Sequence, residues 1–148
     1  MPDDFRAFYE REHGEQVRRA FLLTHSNEQA NDVVHDAMIG VFQRWDDLEN
    51  PGGYLNRSVL NGCRDVGRRT SSSRRALSSL RPLDGEQAEN DVLDDALARL
   101  PFNQRAAVVL RYYGGWSSDE IARALDCSPN SIGPWITRAL TTLRKDFS

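Results

Sequence analysis

The stretch from Ser117 to Lys145 places the tightest limit on what this chain can fold into. Ser117 followed three residues later by Glu120 is a capping box, which predicts a helix start. Ile121, Ala122, Ala124 and Leu125 give that helix a short apolar face. After Asp126 and Cys127, Ser128-Pro129 signals a second start: a side-chain cap, then a proline whose missing N–H costs nothing in a first turn. Ile132, Ile136, Ala139, Leu140 and Leu143 then recur at helical spacing. Pro134 conflicts with a helix beginning at Ser128, because it would interrupt a backbone bond. A start at Ser131 moves the proline into the first turn and removes the conflict. Two helices joined by about three residues make a helix-turn-helix, whose second member fits a major groove. An αα-hairpin in another kind of bundle would show the same pattern, so the remaining chain must discriminate.

Apolar residues make up 39% and charged residues 28% of the 148, the balance of a globular chain holding one ordinary domain or two small ones. No apolar run approaches the roughly 18 residues a membrane span needs. The Met-Pro-Asp-Asp start is acidic rather than signal-like, so a cytoplasmic protein with no membrane contact is expected. Cys63 and Cys127 belong to no Cys-x-x-Cys pair, and His13, His25 and His35 share no metal-ligand spacing. Buried or inert thiols are therefore expected, with no metal and no cofactor. His35 shares its helix face with Asp32 and Asp36, the composition of a wet surface.

The net charge of −3 hides an uneven distribution. Residues 1–56 hold 5 basic and 11 acidic side chains, and residues 57–81 hold 7 and 1. Residues 82–98 hold 6 acidic and no basic ones, and residues 99–148 hold 7 basic and 4 acidic. Two basic blocks separated by an acidic one suggest two polyanion-facing surfaces. All the basic residues but Lys145 are arginine, whose planar fork suits phosphates and guanine edges.

From the N-terminus, a helix is expected over about Asp4 to Leu23, burying Phe5, Phe8, Tyr9, Val17, Ala20, Phe21 and Leu23. Ser26 with Gln29 caps a second helix, in which Ala30, Val33, Val34, Ala37, Met38, Val41, Phe42 and Trp45 recur at three- and four-residue steps. Asp46 to Gly53 reads as a loop. Asn50-Pro51 can open a third helix, although the Gly52-Gly53 pair can delay it. That helix buries Tyr54, Leu55, Val59, Leu60, Cys63 and Val66 and gathers Arg57, Asn61, Arg64, Arg68 and Arg69 on its other side. A basic helix behind a loop that carries Trp45 and Tyr54 suits single-stranded bases. Periodicity fails from Thr70 to Asn90, which reads as a flexible linker, with Ala76 to Leu80 able to dock. Order resumes near Asp91, with Val92, Leu93, Ala96, Leu97 and Leu100 in one helix stopped by Pro101. A further helix over Asn103 to Tyr113 buries Ala106, Val109, Leu110 and Tyr113 and ends at Gly114-Gly115.

The expected fold is all-α: two small helical domains, residues 1–75 and 91–148, joined by a linker over 76–90, with the helix-turn-helix in the second. In this order the fragments resemble a family. Asp32-Val33-Val34-His35-Asp36-Ala37-Met38 is similar to the Asp-Leu-Val-Gln-Glu-Thr-Phe stretch of RNA polymerase sigma factors of the extracytoplasmic-function (ECF) group. Pro51 to Arg69 resembles their −10 element-reading helix and its preceding loop. Leu100-Pro101-Phe102-Asn103-Gln104-Arg105 resembles the Leu-Pro-x-x-x-Arg opening of their −35-reading domain. Val109 to Tyr113 and Trp116 to Ala122 continue it.

The resemblance implies a sigma factor that directs core RNA polymerase to promoter DNA and helps melt the −10 element. It implies no enzyme: no nucleophile–base pair, metal cluster or phosphate loop is seen. Asp32, Asp36 and Gln43 would face the polymerase clamp. Trp45 to Tyr54 would hold a flipped −10 base, and Arg57, Asn61, Arg64, Arg68 and Arg69 would follow the −10 strand. Ser131, Trp135, Arg138, Arg144 and Lys145 would lie at the −35 duplex. An anti-sigma factor wedged between the domains is a partner the resemblance allows.

The recognition helix departs from the family. Where the common pattern is Thr-Val-Lys-Ser-Arg-x-x-Arg-Ala, this chain has Ser131-Ile132-Gly133-Pro134-Trp135-Ile136-Thr137-Arg138-Ala139. Two expected cations are missing, so a shortened or kinked helix with altered −35 preference is expected. Trp135 would either touch thymine methyl groups or pack on a neighbour. The alternative function is a sigma-like protein that binds polymerase or another regulator and reads −35 weakly.

Overall fold

The computed structural model describes residues 2–77 and 88–147, and every regular element among them is helical. Helix α1 spans Asp3–Thr24, with Asp3 and Asp4 favourably placed at its positive end. It ends where His25 turns left-handed at φ 59° and returns its N–H to Phe21 O. Ser26 then caps α2, Asn27–Gln43, through a bond from Gln29 N–H to its Oγ. A single 3₁₀ turn over Trp45–Asp47 leads to α3, Pro51–Leu77.

The glycine pair does not delay α3. Asn50 Oδ1 accepts from Gly53 N–H at 3.0 Å, and a Cβ at position 53 would sit 2.7 Å from the Asn50 amide nitrogen. Gly53 therefore lets the cap close. The helix also runs well past Val66, through residues 70–77, where a linker was expected to begin. Extending an existing helix needs no new nucleus, and neither glycine nor proline intervenes between Gly67 and Pro82. Likewise α4, Ala88–Arg99, begins inside the expected linker. The remainder of that linker, residues 78–87, with the last three residues of the expected docking segment Ala76 to Leu80, lies outside the described residues.

Pro101 separates α4 from α5, Phe102–Val108, whose last turn widens into a π turn over Val109–Tyr113. The Gly114-Gly115 stop works by close approach and handedness. A Cβ at position 114 would lie 2.8 Å from Leu110 O, and Gly115 takes φ 71°. Helix α6, Ser118–Leu125, carries the full Ser117–Glu120 capping box. Two bonds from Ser117 hold the Glu120 carboxyl below the usual carboxylate range. Asp126 turns left-handed at φ 57°, a 3₁₀ turn covers Pro129–Ser131, and α7 runs Ile132–Phe147. Pro134 thus falls in the first turn of α7, as the Ser131 start requires.

Helices α1, α2 and α3 pack on one another, while α5 and α6 pack on α7. The two groups are also in contact: α3 meets α6, and α1 meets α4 and the π turn. One apolar cluster includes Leu23, Val34 and Leu55 from the first group and Leu110, Ile121 and Ile132 from the second. Leu97, Leu100, Val108 and Ala139 form a smaller cluster within the second. The chain therefore has two helical regions, but they close on each other.

Several expected core positions differ. Tyr9, Phe42 and Tyr113 are exposed, as are Val92 and Leu93. Phe42 still meets Phe5 edge-on at 5.1 Å. Conversely Gln16 and Arg19, polar residues not expected in the core of α1, are buried. Cys63 is buried and Cys127 half-buried. Burial pushes the Cys63 thiol up to about 12, against a smaller opposing pull from Arg105, so it stays protonated and inert at neutral pH.

Helices α2 and α3 cross closely at Gly62. A Cβ there would lie 2.7 Å from Val33 Cγ1. Valine in a helix has little rotamer freedom, so α2 and α3 would have to part. Gly62→Leu is expected to cost about 1–3 kcal/mol. Gly14→Ala, with nothing within 4 Å of the new methyl group, should stabilise by roughly 0.5–1 kcal/mol. Thermal melts of the two variants should move in opposite directions; a shift of the same sign in both would refute the crossing argument.

Candidate nucleic-acid interface

The basic stripe of α3 follows from spacing. Arg57, Asn61, Arg64 and Arg68 are three or four residues apart and so share one face of the helix. Arg57, Asn61 and Arg68 are exposed and Arg64 is half-buried; Arg69, also exposed, points about a third of a turn away. Opposite this stripe, Leu55, Val59, Cys63 and Val66 fill the core, which holds the basic face outward.

The loop before α3 is anchored by aromatic packing. Trp45 sits edge-on to Phe5 at 5.4 Å and against Phe8 at 5.4 Å, so much of its ring is engaged by α1. Tyr54 is half-buried, with the Arg44 guanidinium 5.7 Å from its ring centre. Its hydroxyl would be 3.5 Å from a Cβ at Gly40, an ordinary contact distance. Trp45 and Tyr54 thus lie on separate contacts rather than forming one aromatic clamp.

On α2, Asp32, Asp36 and Gln43 are exposed and spaced along one stripe with Ile39, which is 42% exposed. An acidic and apolar face of this kind stands apart from the basic stripe of α3, since α2 buries Val34, Met38 and Val41 between them.

On α7, Trp135, Arg138 and Lys145 share a stripe and Arg144 lies off it, while Ser131 ends the 3₁₀ turn just before the helix. Arg138, Arg144 and Lys145 are exposed, and the last two occupy the final turn, where positive charge suits the helix dipole. Trp135 is half-buried against the apolar cluster, so packing accounts for part of its ring. Gly133 and Pro134 are exposed at the start of the helix, and the missing cations would have stood at positions 133 and 135.

The stripe of α3 also faces the second region. Arg57 Nη2 donates to Arg123 O at 3.4 Å, at the end of α6. Arg64 Nη2 donates to Asn103 Oδ1 at 3.3 Å, and its guanidinium lies 5.3 Å from the Phe102 ring centre. Between α3 and α6 is a cleft of about 790 Å³, bounded by Asn56, Arg57, Asn61, Trp116 and Arg123.

Two family models match the chain: sigma-70 region 2 over residues 8–73 and sigma-70 region 4 over residues 90–143. The ECF RNA polymerase sigma factor SigM of Mycobacterium tuberculosis is 30% identical over 95% of this chain and 76% of its own length. The chain belongs to the ECF sigma factors. It is therefore a promoter-directing initiation factor of RNA polymerase and not an enzyme. RNA polymerase sigma-E factor of Streptomyces coelicolor is 28% identical over 88% of this chain and 78% of its own. Among solved structures, the sigma factor RpoE of Bartonella quintana, in complex with the anti-sigma factor NepR, superposes with a TM-score of 0.78 at 19% identity, covering 99% and 98% of the two chains. CnrH, in complex with the cytosolic domain of CnrY, superposes at 0.71 and 23% identity, covering 95% of this chain and 85% of that one.

For this sigma factor, sequence reasoning missed the polar residues that tie α1 to α3 and those that join the two regions. Gln16 Nε2 donates to Asn56 Oδ1 at 2.6 Å, and Arg19 Nη1 donates to the same oxygen at 3.3 Å. The Arg19 guanidinium lies 4.8 Å from the Trp116 ring centre across the seam, and burial lowers its pKa. Arg105 reaches from α5 to Leu23 O, the end of α1. His25 Nε2 lies 3.0 Å from Asp95 Oδ1. A polar residue spaced like its apolar neighbours was the available signal: Gln16 and Arg19 fall four residues before Ala20 and Leu23.

Proposed function

We propose the following division of labour within this sigma factor. The acidic and apolar face of α2, with Asp32, Asp36 and Gln43, engages the polymerase clamp. The stripe Arg57, Asn61, Arg64 and Arg68, with Arg69 beside it, follows the −10 strand. Tyr54 and the loop after Trp45 hold the unstacked base, whose extrusion costs a few kcal/mol. Ser131, Trp135, Arg138, Arg144 and Lys145 lie at the −35 duplex, with positive charge supplied mainly at the far end of α7. The supporting observation is the outward basic stripe on α3, held by a core on its opposite face. The factor acts in the cytoplasm with core polymerase, and an anti-sigma factor is a fitting partner, because both superposed sigma factors are bound by one or by a partner's cytosolic domain.

The exposed Gly133 and Pro134 favour a second reading of the −35 step: recognition there is weak, and −10 contacts carry selectivity. Transcription in vitro with core polymerase and a promoter library tests both. Enrichment of a fixed −10 sequence is expected, with a −35 sequence unlike that read through paired cations. No transcript from any promoter would refute the function, and a strongly constrained −35 sequence insensitive to Trp135→Arg would refute the role given to that helix.

A further inference from the structure

Asn56 stands one residue before the basic stripe of α3, half-buried at the wall of the cleft. An asparagine amide can offer either end: a carbonyl oxygen that accepts, or an NH2 that donates. Here two buried side chains of α1 fix the choice from behind. Asn56 Oδ1 accepts from Gln16 Nε2 at 2.6 Å and from Arg19 Nη1 at 3.3 Å. Turning the Asn56 amide over would suit Gln16, whose own amide can turn with it. It would not suit Arg19, because a guanidinium only donates and would then face an NH2. Arg19 is therefore the group that sets the orientation.

The arrangement is unfavourable in itself. Gln16 is 1% exposed and Arg19 is 6% exposed. Gln16 Oε1 and Arg19 Nε have no hydrogen-bond partner, the two such buried side-chain atoms among the described residues. Buried unsatisfied groups weaken a fold, and these two are explained by what they hold in place. With Oδ1 bound toward α1, Nδ2 is the end of the Asn56 amide left to the cleft, beside Tyr54, Arg57 and Asn61.

We propose that Asn56 is a specificity-determining contact for the melted −10 strand. Its Nδ2 donates to the keto oxygen of a guanine or thymine, and Gln16 and Arg19 are positioning residues that keep the donor outward. Adenine and cytosine carry an amino group where guanine and thymine carry that oxygen, so a fixed donor rejects them. An amide free to turn would accept either class. A neutral donor of set direction thus adds base selection to a face whose arginines supply attraction to phosphate. The inference rests on the reading of α3 as the −10 face.

Binding of the holoenzyme to promoter DNA randomised across the −10 element, read by sequencing the bound fraction, tests this. For the wild type, guanine and thymine should exceed adenine and cytosine at one position by about three- to tenfold, the worth of one hydrogen bond. Asn56→Asp keeps the shape and replaces the donor with an acceptor, so preference at that position alone should move to adenine and cytosine. The added negative charge lowers affinity for every sequence alike, and the ratio between bases is therefore the readout. Arg19→Met removes the donors behind Asn56 and should bring that ratio close to one. Arg19→Lys keeps a group that only donates and should keep the preference. A merely structural role for Arg19 would lower thermal stability in both variants and leave the ratio unmoved. If Arg19→Met fails to fold by circular dichroism, Asn56→Asp decides alone. An unchanged ratio in Asn56→Asp, or a uniform loss that places the amide on a phosphate, would overturn the proposal. A full preference in folded Arg19→Met would overturn the positioning role. These results would leave the wild type still selecting a −10 sequence, whereas a wild-type holoenzyme that selects none would defeat the reading of α3 itself.

Discussion

Arg105→Ala should be among the most destabilising single substitutions in this protein, lowering the unfolding free energy by about 3–5 kcal/mol. The side chain is 8% exposed and its guanidinium ties together the ends of two helices. It donates to Leu97 O at 2.8 Å, Ala98 O at 2.9 Å and Leu100 O at 2.8 Å, carbonyls in the last turn of α4 and just past it, where intrahelical acceptors run out. It also donates to Leu23 O at 2.6 Å, at the end of α1. Charged donors make strong bonds, and alanine would take that donor from four backbone carbonyls at once. Lysine keeps the charge but not the planar fork, so Arg105→Lys should recover only a minor part of the loss. Urea unfolding followed by circular dichroism checks this, and a midpoint for Arg105→Ala equal to that of the wild type would show that the four bonds are expendable. The effect is large against a total stability of roughly 5–15 kcal/mol for a domain of ordinary size.

The largest functional loss is expected from Arg57→Ala combined with Arg64→Ala. If both guanidiniums lie against −10 phosphates, each removes roughly one unit from the slope of log affinity against log salt. The double variant, assembled with core polymerase, should bind promoter DNA more weakly at moderate salt, with a slope shallower by about 2. Assembly with polymerase matters, because the same residues touch the second region in the free protein. Arg18, exposed on α1, supplies the control: Arg18→Ala should change neither slope nor transcript yield. Equal slopes for the double variant and the wild type would exclude α3 as a phosphate-contacting surface.

Much of the local structure was legible because local chemistry dictates it. The Ser117–Glu120 box, the Ser26 cap, the Gly114-Gly115 stop and the apolar spacing of α2 each act within a few residues, and each appears where expected. The position of Pro134 in the first turn of α7 was legible for the same reason. Errors arose where periodicity was asked to predict burial. Tyr113 and Phe42 match a buried stripe yet face outward, and Gln16 and Arg19 are polar in type yet lie inward. Periodicity reports which side of a helix can be covered. It does not report what covers it. The residues 70–77 were misread because composition marked them as linker, while an established helix extends through polar residues at little cost.

The candidate site divides in the same way. The alignment of Arg57, Asn61, Arg64 and Arg68 on one face needed only their spacing. The separate engagement of Trp45 with Phe5 and Phe8, and of Tyr54 with Arg44, required the packing of α1 and α2 around the loop.

The amino-acid order alone determined the helices, most of their ends, the two basic blocks and the family, because caps, turns and spacing are short-range properties written in neighbouring residues. Tertiary structure alone decided that the two regions share an apolar cluster and that Trp116, Arg105 and Asn103 meet Arg19, Leu23 and Arg64. Those pairs are separated by tens of residues, and their meeting depends on the free energy of burying one whole helical surface against another, a quantity no local pattern contains.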